Sequence, residues 1–122
     1  MLTREQIIDR LKIRQTTLST TRASLFPAAV PENKIRYIVG IWINGDGTSR
    51  TVEIEKTEED GTHTMLFDNV PIPPADQVPI PEGWNFNIEN PLMRLEGGTN
   101  LTGISSAGSP EATCIYFDNP EI

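Results

Sequence analysis

The reactive and ligand-seeking side chains of this sequence are few and stand far apart. There is one histidine, His63, between Thr62 and Thr64 at the start of a β-prone run. An imidazole does acid–base or metal chemistry only with partners, and none can be assigned to it from the sequence. A single histidine also cannot furnish the His/Glu cluster of a cupin-type sugar isomerase. His63 therefore reads as an exposed or half-exposed strand residue. The lone cysteine, Cys114, rules out an intrachain disulfide. It sits inside an apolar run without a cationic neighbour, as a buried structural thiol does.

Other patterns are equally plain. Asp46-Gly47 and Asp60-Gly61 lack the repeated acidic spacing of a calcium loop and read as turns. Glu58-Glu59-Asp60 reads as a solvated turn tip. Glu96-Gly97-Gly98-Thr99 is flanked by strand-like sequence rather than a following helix, so it is no phosphate loop. Asn100-Leu101-Thr102 fits a glycosylation sequon, but the N-terminus Met1-Leu2-Thr3-Arg4-Glu5-Gln6 has no signal-peptide core. Tyr37, Trp42 and Trp84 would form a sugar-stacking platform if exposed on one sheet; core or interface roles compete with that. From these residues no catalytic, cofactor or metal site is assigned.

The elements that would position these residues are strands. Ile35 to Asn44 is rich in β-branched and aromatic residues and closes on Gly45-Asp46-Gly47. Strict alternation puts Ile35, Tyr37, Val39, Ile41 and Ile43 on one face and Arg36, Ile38, Gly40, Trp42 and Asn44 on the other. This predicts a strand in the middle of a sheet, with Asn44-Gly45-Asp46-Gly47 as a hairpin turn to a mate over Arg50–Lys56. A third strand is expected over Thr62–Val70. The run Pro71 to Pro81 lacks ladder donors and is expected to cross between sheets. Further strands are expected over Trp84–Asn90, Thr99–Ser105 and Ala112–Phe117, before a polar tail, Asp118–Ile122.

Ahead of these, Thr3-Arg4-Glu5-Gln6 fits a capping box, and Ile7, Ile8 and Leu11 follow at helical spacing. A helix is expected over Arg4–Ile13, resting on its own sandwich or on another subunit. An extended segment should follow from Gln15, with an irregular connector between Pro27 and Pro31. The organisation expected is a helix and extended arm over residues 1–33 and a β-sandwich over 34–122. With 122 residues, 10 Pro, 9 Gly and 37% apolar content, the chain fits one all-β domain: an antiparallel β-sandwich of jelly-roll or Greek-key type.

Charge is split. Residues 1–36 hold seven basic side chains against three acids, and residues 37–122 hold three against fourteen, so +4 faces −11. A basic arm on an acidic body suits docking on an acidic surface, including a neighbouring copy. The acidic body would repel nucleic acid. No apolar run is long enough to span a membrane.

Taken in order, several stretches resemble a small β-sandwich module of tailed-virus (bacteriophage) virion proteins, the capsid decoration or cement, neck and fibre-associated subunits. They are Ile38-Val39-Gly40-Ile41-Trp42-Ile43-Asn44-Gly45, Thr51-Val52-Glu53-Ile54, Val78-Pro79-Ile80-Pro81, Leu95-Glu96-Gly97-Gly98-Thr99-Asn100-Leu101 and Cys114-Ile115-Tyr116-Phe117-Asp118. The resemblance covers residues 16–118. It implies a non-enzymatic virion structural protein that decorates or cements a capsid through protein–protein contacts. It is expected to be made in the host cytoplasm and carried on the capsid surface, without a cofactor. The implied partners are the major capsid protein or another virion subunit, and further copies of itself, with a trimer favoured over other rings. The arm would supply Ile7, Ile8 and Leu11 as apolar grip and Arg4, Arg10, Lys12, Arg14 and Arg22 as steering charge. The alternative is a carbohydrate- or receptor-binding module that uses Tyr37, Trp42 or Trp84.

Overall fold

The computed structural model describes residues 2–120. Their elements are α1 (Arg4–Arg10), β1 (Lys12–Thr17), β2 (Ala23–Ser24), β3 (Lys34–Asn44), β4 (Arg50–Thr57), β5 (His63–Ile72), β6 (Gln77–Ile80), β7 (Met93–Leu95), β8 (Asn100–Ser105) and β9 (Glu111–Pro120). One sheet runs β1-β9-β3-β6, with β7 also paired to β3; the other runs β2-β8-β4-β5. All pairings are antiparallel. The order is that of an all-β, jelly-roll-like sandwich, in which the chain repeatedly changes sheet. Leu18, Phe26, Ile38, Ile41, Ile54, Ile80 and Leu101 meet between the layers. Each such side chain contributes ~1.5–3 kcal/mol by leaving water.

The capping box forms as expected. Thr3 Oγ1 accepts from the Gln6 N–H at 3.2 Å, and Gln6 Oε1 accepts from the Thr3 N–H at 2.8 Å. The helix nevertheless ends at Arg10 rather than Ile13, with Leu11 already extended. Lys12 onward pairs with β9 residue for residue, from Lys12↔Tyr116 to Thr17↔Glu111. A six-residue ladder outweighs three further residues of helix in so short a segment.

The expected hairpin between Ile35–Asn44 and Arg50–Lys56 does not form. β3 is flanked on both sides within its own sheet, by β9 over its length and by β7 and β6 in turn. No edge is left for β4, which joins the other sheet between β8 and β5. Gly45-Asp46-Gly47 instead crosses between sheets beside the 73–76 crossing. The Gly45 N–H donates to Asp76 O and the Gly47 N–H to Pro74 O. A Cβ on Gly45 would run into the Pro73 and Pro74 carbonyls. The Pro-rich run does cross, as its missing donors predict, though it ends in the short strand β6.

The strict alternation expected along β3 is also broken. Ile38 pairs with Tyr116 and Gly40 with Ile115, so Val39 is an extra residue. Arg36 and Ile38 precede the bulge on the core side, and Ile41 and Ile43 resume it after. Tyr37, Gly40 and Trp42 therefore share the outer face. Trp84–Asn90, expected as a strand, is a loop laid against that face. The expected tail belongs in part to β9, where Asp118 pairs with Arg36; Glu121 and Ile122 lie outside the described residues.

Candidate functional site

The outer face of the β1-β9-β3-β6 sheet collects Tyr37, Trp42 and Trp84 from the singled-out residues, and the bulge organises it. A bulge leaves one residue outside the regular ladder, so its carbonyl needs another donor. The Trp84 indole Nε1–H donates to Val39 O at 3.0 Å. Two residues on, the Phe86 ring occupies the space over Gly40 where a side chain would stand. Phe86 then stacks on Trp42, with centroids 5.1 Å apart and planes at 23°. Trp42, Trp84, Phe86 and Pro79 line a hollow of about 340 Å³ together with Gln77 and Asn85. No charged side chain lines it. The sequence pointed to Trp42 and Trp84 but missed Phe86. The vacancy at Gly40 was the one available signal.

Tyr37 is not part of this hollow. It stacks on Phe117 at 5.0 Å, with planes at 18°. That pair lines a second depression with Leu2, Ile7, Ile88 and Pro91. Helix α1 thus lies on the sandwich of its own chain. Ile7 faces this depression and Arg4 pairs with Glu89 at 2.8 Å, while Ile8 stays 49% exposed and Leu11 half-buried.

The basic residues separate into two groups. Arg22 is not on a free arm: it lies on the other sheet, 3.2 Å from Glu53 and 3.5 Å from Glu55. Arg10, Lys12 and Arg14 are exposed and have no ion-pair partner among the described residues. Lys12 and Arg14 stand on β1, an outermost strand.

His63 is exposed at the start of β5. Its Nδ1 lies 3.1 Å from the Thr57 hydroxyl and 3.6 Å from a Glu55 carboxylate oxygen. It lines a polar groove with Arg22, Glu32, Glu58 and Glu59. A hydrogen bond and charge repulsion from Glu59 hold the Glu32 carboxyl above the usual range. Cys114 lies in the core of the opposite sheet, where burial pushes its thiol up to about 12. Histidine and thiol are thus not brought together. No group of three or more metal-type ligands occurs among the described residues.

No protein-family model matches the chain, and no curated protein matches it. Among solved structures it is similar to a pentameric capsid protein isolated from metagenomic phage sequences, at 12% identity and a TM-score of 0.44 over 99% of this chain. It is also similar to a chain of the T13 IBDV viral particle, at 9% identity and a TM-score of 0.46 over 92% of this chain. The chain spans 66% and 35% of the lengths of those two chains.

Proposed function

We propose that this chain is a non-enzymatic structural protein of a virion, which decorates or cements a capsid through protein–protein contacts. The observation that carries the reading is the placement of charge. Among the described residues every arginine except Arg10 and Arg14 is matched to a carboxylate, and those two flank Lys12 in sequence. Unmatched charge on an outermost strand serves association rather than folding. The family resemblance of residues 16–118 points the same way. The partner is the major capsid protein or another virion subunit, and copies of this chain associate in a ring, with a trimer as the favoured form. Ile8, with Arg10, Lys12 and Arg14, forms the contact, whereas Ile7, Arg4 and Arg22 hold the N-terminal region to its own body.

The test is rebinding to shells of the particle that carries the protein, stripped of it beforehand. The wild-type chain should co-sediment with them, and the Lys12→Glu/Arg14→Glu variant should not. Wild-type protein left in the supernatant would overturn the reading. Light scattering on the isolated chain decides its copy number.

A second reading has one specific observation behind it. The Trp42–Phe86 hollow presents aromatic surface beside the Gln77 and Asn85 amides, the combination that suits the apolar face and hydroxyls of a sugar ring. Glycan-array binding lost on Trp42→Ala, in a protein that still folds, would favour it.

A further inference from the structure

The five outer strands of this sandwich are not protected alike. An outermost strand exposes a row of unpaired N–H and C=O groups, and proteins blunt such rows with short strands, prolines, bulges or charge. β2 is two residues long. β5 is irregular against β4, carries Asn69 at φ 49° and has Pro71 in its last turn of ladder. β6 is four residues long and contains Pro79, and β7, next to it along β3, is three residues long. β1 has no proline, bulge or break in register, and its one guard is the charge of Lys12 and Arg14. It is six residues, Lys-Ile-Arg-Gln-Thr-Thr, in unbroken register with β9.

The direction of its free groups follows from the ladder. The Leu18 N–H donates to Pro110 O at 2.8 Å, one step beyond Thr17↔Glu111. Antiparallel pairs alternate between bonded and non-bonded. Thr16, Arg14 and Lys12 therefore spend their backbone groups on β9, and Ile13, Gln15 and Thr17 point theirs away from the sheet. Ile13, 65% exposed, places apolar surface beside this row of free groups.

Charge decides what fits there. Two copies meeting β1 to β1 would bring both Lys12–Arg14 pairs together, near Arg10 of each, and repel. An acidic strand would be attracted. We propose that β1 is a docking edge that takes one extended, acidic segment of a partner protein as an added strand. The backbone groups of Ile13, Gln15 and Thr17 form the ladder, Ile13 gives an apolar contact, and Lys12 and Arg14 select for acid. The inference rests on the assembly reading above and names its contact.

The experiment uses the full chain and a labelled peptide of about eight residues alternating glutamate and valine. Anisotropy should show saturable binding. Amide exchange read by NMR should slow at Ile13, Gln15 and Thr17 and stay unchanged at Arg14 and Thr16. Lys12→Glu/Arg14→Glu should weaken binding roughly tenfold or more, and Gln15→Pro, which removes one outward donor, should abolish it. The charge-reversed variant keeps the test decisive if the proline variant fails to fold. No saturable binding, binding that leaves those three amides unchanged, equal binding of a lysine–valine peptide, or displacement by a single-stranded oligonucleotide would each overturn the inference. Shells that rebind wild type and the charge-reversed variant alike would overturn it too while keeping the virion role. A peptide that docks on a protein unable to rebind shells would support the edge and remove the virion role.

Discussion

The Trp84 indole N–H and the Val39 carbonyl lie 3.0 Å apart, and this bond joins a loop to the one irregularity of β3. It fixes residues 84–86 on the outer sheet face and thereby sets Phe86 over Gly40 and against Trp42. Trp84→Phe keeps the ring but leaves the bulge carbonyl without its donor, at a cost of ~1–2 kcal/mol. Gly40→Ala drives a methyl group into the Phe86 ring and should cost ~1–3 kcal/mol. Urea unfolding measures both. Tryptophan fluorescence of the folded Gly40→Ala protein should also shift, because the loop must lift.

Arg36 is a charge inside the sandwich. It is 9% exposed, forms paired hydrogen bonds to Asp118 at 2.7 and 2.9 Å, and lies 4.5 and 4.7 Å from the Phe26 and Tyr116 ring centroids. Asp118→Asn leaves the guanidinium without its counter-charge and should cost ~3 kcal/mol. Arg36→Met/Asp118→Asn, which removes both charges and keeps an apolar stem between the rings, should be the milder change. Equilibrium denaturation of the pair decides this.

Thr113 Oγ1 is buried without a hydrogen-bond partner among the described residues. Thr113→Val replaces that hydroxyl with a methyl group of the same shape. It should raise stability by ~1 kcal/mol, read as a higher urea midpoint at unchanged slope.

Two carboxyls give opposite pH dependence. The Ser109 N–H, with help from Arg50 and the Thr48 N–H, holds Asp46 below the ordinary aspartate range. Its stabilisation is fully present above about pH 4 and disappears as pH falls through the lowered value. The gap in urea midpoint between wild type and Asp46→Asn should therefore be widest above that pH and close in stronger acid. Glu32 is raised by Glu59. The folded state binds its proton more tightly, so stability falls as pH rises from the ordinary glutamate value through the raised one. Glu59→Gln should flatten that decline.

Cys114, its thiol pushed up to about 12 by burial, should not react with Ellman's reagent in the native protein at mildly alkaline pH. It should react fully in denaturant. Reaction of the native protein at the rate of a free thiol would show that the core opens at β9.

The sequence by itself determined what depends on near neighbours. The Thr3–Gln6 capping box, the strand character of residues 35–44, the turn at Asp60-Gly61 and the crossing at Pro73–Pro74 are decided within a few residues, by hydroxyls, branching and missing donors. The all-β sandwich followed from them. What only the tertiary structure decided is which strand meets which. Asn44-Gly45-Asp46-Gly47 has the local chemistry of a hairpin, but a ten-residue ladder with β9 and two further partners on the other side leave β4 no place beside β3. The bulge at Val39, which reverses the alternation and turns Trp42 outward, arises from the same pairing. So does the docked loop that brings Phe86 to Trp42, some forty residues away along the chain. Contacts at that separation depend on the whole sandwich closing, and no local pattern of residues encodes them.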